Sequence, residues 1–232
     1  MSSFVMSDEY PMLCNAVYNI GYDIVPSDKI LQFHKPEQRH IDMQMLKINN
    51  DIFLLKECTE LRKKLDNRGY SIIFCKNNIT KYYPSFVALN CLYIGGKLYG
   101  REDAIDNSVK KYCSNNNIEI VNVNQGYTRC STAVIGKNAA ITADTTIYEA
   151  LKNNDIDVLK IDSGNIKLEG YNYGFIGGAC TILDDNTLIF FGDAKTHPNY
   201  PVIEKFCIIH NVKILNLIEN SPLIDIGGAI KI

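Results

Sequence analysis

Eight cysteines and four histidines are the side chains of this 232-residue chain best suited to covalent or proton-transfer chemistry. A thiolate is a nucleophile and a soft metal ligand, and an imidazole gives or takes a proton near neutral pH. The cysteines, at positions 14, 58, 75, 91, 113, 130, 180 and 207, stand singly, with no Cys-x-x-Cys pair and no His–Cys metal spacing. Metal ligation has no support from that pattern, and a cysteine inside an apolar run reads as a small packed hydrophobe. Other polar groups have equally plain readings. His40 follows the polar loop Lys35-Pro36-Glu37-Gln38-Arg39, which suits an exposed imidazole as well as a reactive one. Asp42, Asp162 and Asp225 sit where aspartate opens turns. Asp144 and Asp193 read as helix caps, His197-Pro198 as a turn, and His210 as a helix C-terminal residue. Gly177-Gly178 starts a strand rather than a helix, so it does not read as a phosphate loop.

Composition narrows the class. Hydrophobic content of 46% with 22% charged residues is ordinary for a globular protein long enough to bury a core without disulfides. A net charge of −2, with no basic cluster longer than Arg62-Lys63-Lys64, argues against nucleic-acid and membrane partners. No apolar stretch reaches the roughly 18 residues of a spanning helix, and residues 1–6 lack the basic and apolar regions of an export signal. Single cysteines without a pairing pattern suit a reducing cytoplasm, so the expected location is cytoplasmic. No cofactor is indicated, and a monomer and a homodimer fit the sequence equally.

The elements that must position these residues repeat. A helix followed by a strand recurs at 12–25, 59–74, 107–123, 147–161 and 200–217, with strand starts at Asp23, Ser71, Glu119, Asp157 and Lys213. The intervals of 48, 48, 38 and 56 residues are those of a repeat architecture with tolerated jitter. Between these segments lie four hairpins, 42–48 with 51–56, 85–94 with 97–100, 131–135 with 139–143, and 179–183 with 187–192. Each is broken by a Gly/Asn/Asp turn. The unit is strand–turn–strand–helix–strand, which differs from a doubly wound sheet of single strands and helices. Five helix–strand pairs but four hairpins leave one unit short; strands at 3–6 and 228–232 supply it, closing a ring without free sheet edges. No linker divides the chain, so residues 1–232 are expected to form one domain.

Five ββαβ units around a pseudo-fivefold axis resemble the pentein fold, the α/β propeller of the guanidino-group-modifying enzymes. In its second half the chain also resembles a bacterial family of that fold with no assigned activity. The stretches that carry this likeness are Gln125-Gly126-Tyr127-Thr128-Arg129-Cys130-Ser131-Thr132, Tyr173-Gly174-Phe175-Ile176-Gly177-Gly178-Ala179 and Asp225-Ile226-Gly227-Gly228. Enzymes of the fold keep a Cys nucleophile in a Cys-x-Ser/Thr context, a His often in His-x-Asp, and acidic residues in one central channel. Cys130-Ser131-Thr132, His40-Ile41-Asp42 and Asp225-Ile226-Gly227-Gly228 are similar to those elements. His40 and Cys130 lie 90 residues apart, about two repeats, and one repeat before His40 wraps round the ring to Asp225.

The resemblance implies that Cys130 attacks an amidine carbon, that His40 serves the leaving amine and water, and that Asp42 and Asp225 hold the planar cation. Arg129, Thr132 and Asp162 are further candidates for substrate binding. The chain departs from the family pattern near its C-terminal end, where the enzymes carry their nucleophile and this sequence reads Gly227-Gly228-Ala229-Ile230-Lys231. Two readings follow: a cysteine-dependent hydrolase of a guanidine or amidine small molecule, with the site rotated by whole repeats, or a non-catalytic pentein that binds a small molecule or a protein, as the ribosome-subunit anti-association factors of this fold do. Pairing of Cys130 and His40 in one channel favours the first; a Cys130 packed beneath a helix excludes it.

Overall fold

The computed structural model describes residues 2–184 and 186–232. Five helices carry the repeat: α1 (Pro11–Asn19), α3 (Thr59–Asp66), α4 (Asn107–Asn115), α5 (Thr145–Lys152) and α6 (Tyr200–Ile209), with a four-residue turn of helix, α2 (Ile41–Gln44), between the first two. Each of the five buries an i, i+4 pair: Leu13 and Val17, Leu61 and Leu65, Val109 and Cys113, Ile147 and Leu151, Ile203 and Cys207. Residues four apart lie on one helix face, so each helix presents one apolar stripe to its sheet. The first members of these pairs stand 48, 48, 38 and 56 residues apart, the same intervals as the strand starts expected from the sequence. Each buried aliphatic side chain contributes about 1.5–3 kcal/mol, so one repeat's pair is a substantial share of a domain's net stability.

Each helix feeds a strand that pairs in parallel with the second strand of the preceding hairpin. The sheets are β3 (Met45–Ile48), β4 (Asp51–Leu54) and β5 (Ile72–Phe74); β6 (Leu92–Ile94), β7 (Lys97–Gly100) and β8 (Ile120–Asn122); β9 (Thr132–Gly136), β10 (Ala139–Thr142) and β11 (Asp157–Lys160); and β13 (Cys180–Asp184), β14 (Thr187–Phe190) and β15 (Lys213–Asn216). The fifth joins the two ends of the chain: β1 (Ser3–Met6) runs antiparallel to β17 (Ala229–Lys231) and parallel to β2 (Asp23–Pro26). Ser3 and Ile232 exchange backbone hydrogen bonds at 3.1 and 2.9 Å. A two-stranded ribbon of β12 (Ile166–Lys167) and β16 (Leu223–Ile224) spans the last two inter-repeat connections. These five three-stranded units are the repeats expected from the sequence.

Two hairpins begin later than their sequences suggest. Residues 42–44 belong to α2, and strand pairing starts at Met45; all four residues of α2 are buried, so the polar–apolar alternation there does not mark an exposed face. In the second hairpin, Ser85–Val87 is a 3₁₀ turn and the strand spans only Leu92–Ile94. The turn expected at 184–186 includes Asp185, which lies outside the described residues, as does Met1 of the N-terminal segment. No helix among the described residues is long and apolar enough to cross a membrane.

Candidate functional site

The entries to the first strands of the five units lie against one another. Asn90, Cys130, Gly178 and Gly227 each stand two residues before such a strand, and Asp42 stands three before. Hydrogen bonds link these entries in a closed circuit. The Asn90 side chain donates to Asp42 O at 3.3 Å and accepts from Cys130 N at 3.2 Å. Gly178 N donates to Cys130 O at 3.0 Å, Gly228 N to Gly178 O at 2.8 Å, and Asp42 N to Gly227 O at 3.3 Å. Two glycines are needed for this closeness: a Cβ on Gly178 would collide with the Asp225 carboxylate, and one on Gly227, at φ +76°, with His40.

His40, Asp42, Cys130 and Asp225 converge inside this belt, each between 1% and 3% exposed. The Cys130 thiol donates to Asp42 Oδ2 at 2.7 Å, and Asn90 Nδ2 donates to Sγ at 3.0 Å. His40 Nδ1 lies 3.8 Å from Asp225 Oδ1, an ion-pair distance once the ring is protonated. Asp225 is fixed in turn by the N–H groups of Phe175 and Gly227 at 2.8 and 2.9 Å. Within these four side chains, two buried atoms, His40 Nε2 and Asp42 Oδ1, have no hydrogen-bond partner among the described residues. Leaving such an atom unpaired costs about 1–3 kcal/mol, so these are positions where a ligand's polar groups would be held favourably.

Burial sets the protonation states. It pushes the Asp42 carboxyl up to about 7, His40 and the Cys130 hydrogen bond opposing and Asp225 adding to the rise. The same burial, with the Asp42 and Asp225 charges, holds the Cys130 thiol well above the usual thiol range. Burial and the two neighbouring carboxylates therefore favour the thiol over the thiolate at rest. His40, Asp42 and Cys130 offer ligand atoms all within 4.8 Å of one another, a nitrogen, oxygen and sulfur set that suits Zn²⁺ with a coordination position left open.

The other candidates are each bonded to partners outside this cluster. Thr132 donates its hydroxyl to Thr128 O and accepts from Arg129 Nη1 on its carbonyl, so both groups are engaged in holding the turn around Cys130. Arg129 is half-buried and close enough to favour the Asp42 anion. Asp162 is exposed and bonded to Asn199. His40 is buried, contrary to its polar flank, because Glu37 turns inward and Arg39 pairs with Asp8 and Glu9. Asp144 and Asp193 cap their helical segments as their positions suggest. Asn90 was not evident from motif matching; its offset of two residues before a strand, shared with Cys130, is the signal that identifies it.

Residues 4–230 match the family described as "Family of unknown function (DUF6873)". No curated protein matches the sequence. Among solved structures, the chain is similar to a Cys-to-Ser variant of the Pseudomonas aeruginosa DDAH complexed with citrulline, at a TM-score of 0.56 and 10% identity, covering 98% of this chain and 95% of that one. The inosamine-phosphate amidinotransferase of Streptomyces griseus gives 0.56 and 10% identity over 94% and 76% of the two chains. An agmatine deiminase of C. jejuni gives 0.52 and 12% identity over 94% and 86%. At such identities these likenesses show the fold, which is that of the penteins.

Proposed function

The chain belongs to that family and folds as a pentein, and from this premise we propose that it is a cysteine-dependent hydrolase of a guanidine or amidine small molecule. One observation carries the reading: four reactive side chains from three distant segments meet at strand entries, with His40 Nε2 and Asp42 Oδ1 left unpaired. A guanidinium entering the cluster adds positive charge beside the thiol, and its planar N–H pair matches the free face of the Asp42 carboxylate. Its charge favours the thiolate; the thiol proton passes to His40 Nε2, and Asn90 Nδ2 remains as a donor to the sulfur. The thiolate then adds to the amidine carbon. His40 returns the proton to the departing nitrogen as the C–N bond breaks, leaving a thiouronium on Cys130. Water attacks that carbon while His40 accepts its proton, and cleavage of the C–S bond regenerates the cysteine. Asp225 acts by holding and electrostatically supporting the imidazolium.

The test is release of ammonia, amine or urea from a panel of guanidines, comparing wild type with Cys130→Ala, together with mass-spectrometric mapping of a haloacetamidine label. Turnover abolished by the substitution, with the label on Cys130, is expected. A label that lands on another cysteine while Cys130 stays unmodified overturns the assignment. A second reading, a non-catalytic pentein binding the same class of ligand, draws on the resting thiol–carboxylate contact, which keeps the sulfur protonated. Binding without turnover would favour it.

A further inference from the structure

A cavity of about 1060 Å³ opens beside the buried cluster. Tyr10, Tyr83, Phe86, Tyr127 and Tyr171 contribute aromatic walls. Tyr127 connects the two regions through Phe175. Tyr127 stacks on Tyr83 with ring centroids 6.4 Å apart and also packs on Phe86 and Phe175. Phe175 in turn gives its N–H to Asp225. The cavity is therefore an antechamber whose wall rests on the cluster.

Its charges are arranged unequally. Glu9, Glu169, Lys29 and Lys35 line it in balanced number, and all are at least partly solvent-exposed, where water and salt weaken them. Glu37 is different: it is 4% exposed and accepts the Tyr127 hydroxyl at 3.2 and 3.3 Å on its two oxygens. Burial and the nearby Glu37 carboxylate push the Tyr127 and Tyr171 phenols up, so both keep their protons. Among the described residues no cation lies in ion-pair range of Glu37, and no arginine lines the cavity to receive a carboxylate. Arg101, which sits over the Tyr83 ring, is engaged with Asp103 at 2.7 and 3.1 Å.

We propose that this chamber binds an organic cation, so that the molecule processed at Cys130 carries a distal ammonium or alkylammonium group rather than an amino-acid carboxylate. Aromatic faces attract such cations, and a buried carboxylate behind two tyrosines directs its negative potential toward them. The proposal rests on the hydrolase reading only for the identity of the substrate's other end; the cation site is a property of the chamber itself.

Choline and its uncharged carbon isostere, 3,3-dimethylbutan-1-ol, test it on the full chain without reference to turnover. With no tryptophan to mask it, intrinsic tyrosine fluorescence carries a contribution from the four tyrosines that line the chamber. Choline should bind at least about tenfold more tightly than the isostere, and Glu37→Gln should bring the two within about twofold. Tyr171→Leu, at a half-exposed ring that tolerates replacement, should weaken choline about fivefold and leave the isostere unchanged; it decides the matter if Glu37→Gln fails to fold. Equal affinities for the two probes, no choline binding, or choline affinity untouched by Tyr171→Leu overturns the proposal. Choline binding in a protein that turns over no guanidine would leave the chamber assigned and remove the hydrolase. Turnover indifferent to the distal charge, with no choline binding, would do the reverse.

Discussion

Replacing Asn90 with alanine removes one side chain and unpairs four groups at the axis. Cys130 N and Arg129 N lose their shared acceptor at 3.2 and 2.8 Å, Asp42 O loses a donor at 3.3 Å, and Cys130 Sγ loses one at 3.0 Å. A buried backbone group left unpaired costs about 1–3 kcal/mol. The two N–H groups share one oxygen, so their losses overlap, and a total of about 3 kcal/mol is expected. For a domain of this length each kcal/mol moves Tm by about 2–4 °C, giving a fall of about 6–12 °C by circular dichroism. Asn90→Asp separates structure from chemistry. It keeps an acceptor for both N–H groups but removes the donor to sulfur and adds an anion beside Asp42, so much of the Tm loss should return while Cys130 alkylation slows at every pH. A Tm for Asn90→Ala within 1–2 °C of wild type would refute the reasoning, because it would mean these contacts do not hold the strand entries.

Asp42 makes stability pH-dependent in a stated direction. Its carboxyl is raised to about 7 in the fold from 3.8, so the folded state binds the extra proton between those values and stability falls as pH rises through that window. The slope reaches at most about 1.4 kcal/mol per pH unit, and Asp42→Asn should flatten the denaturation profile there; an unchanged profile counts against the buried, raised carboxyl. Gly227→Ala meets both a φ of +76° and the His40 backbone, so its urea midpoint should drop by the equivalent of about 2–4 kcal/mol, and a neutral effect would show that the turn can move. Zn²⁺ should raise Tm and protect Cys130 from alkylation, and Cys130→Ser should lose most of both effects; protection that persists in His40→Ala would place the ion elsewhere.

The repeat was readable because each unit states its pattern locally: an i, i+4 apolar pair on a helix, then a short β-rich segment, at intervals that local propensity alone reveals. The clustering of His40, Cys130 and Asp225 followed from counting units around a ring. What escaped was decided by contacts made far along the chain. Residues 41–44 alternate like a strand, yet Gln44 turns to bond Asp28 and Gln38, and this tertiary anchoring accompanies a helical turn. Ser85–Val87 carries strand-like residues but curls after Pro84 with Phe86 and Val87 buried. Thr132 resembles a substrate ligand by motif, but its hydroxyl is already bonded within its own turn. Glu37 reads as one residue of a polar loop, and only the approach of Tyr127, 90 residues on, shows it as a buried, hydrogen-bonded carboxyl group.

The hydrogen-bonded belt makes the starting point of the chain geometrically arbitrary. Its five links join strand entries, and none depends on where translation begins; the ends themselves meet through Ser3 and Ile232. A circular permutant opened at the exposed turn Asn49-Asn50, with a short linker across the old ends, should keep every link and fold to the same ring. The linear position of a nucleophile is then a poor guide to its station on such a ring. A cysteine in mid-sequence and one near the C-terminus can occupy equivalent stations of a closed structure, and comparison by angular order around the axis, rather than by alignment from end to end, is the appropriate way to relate this chain to other proteins of its shape.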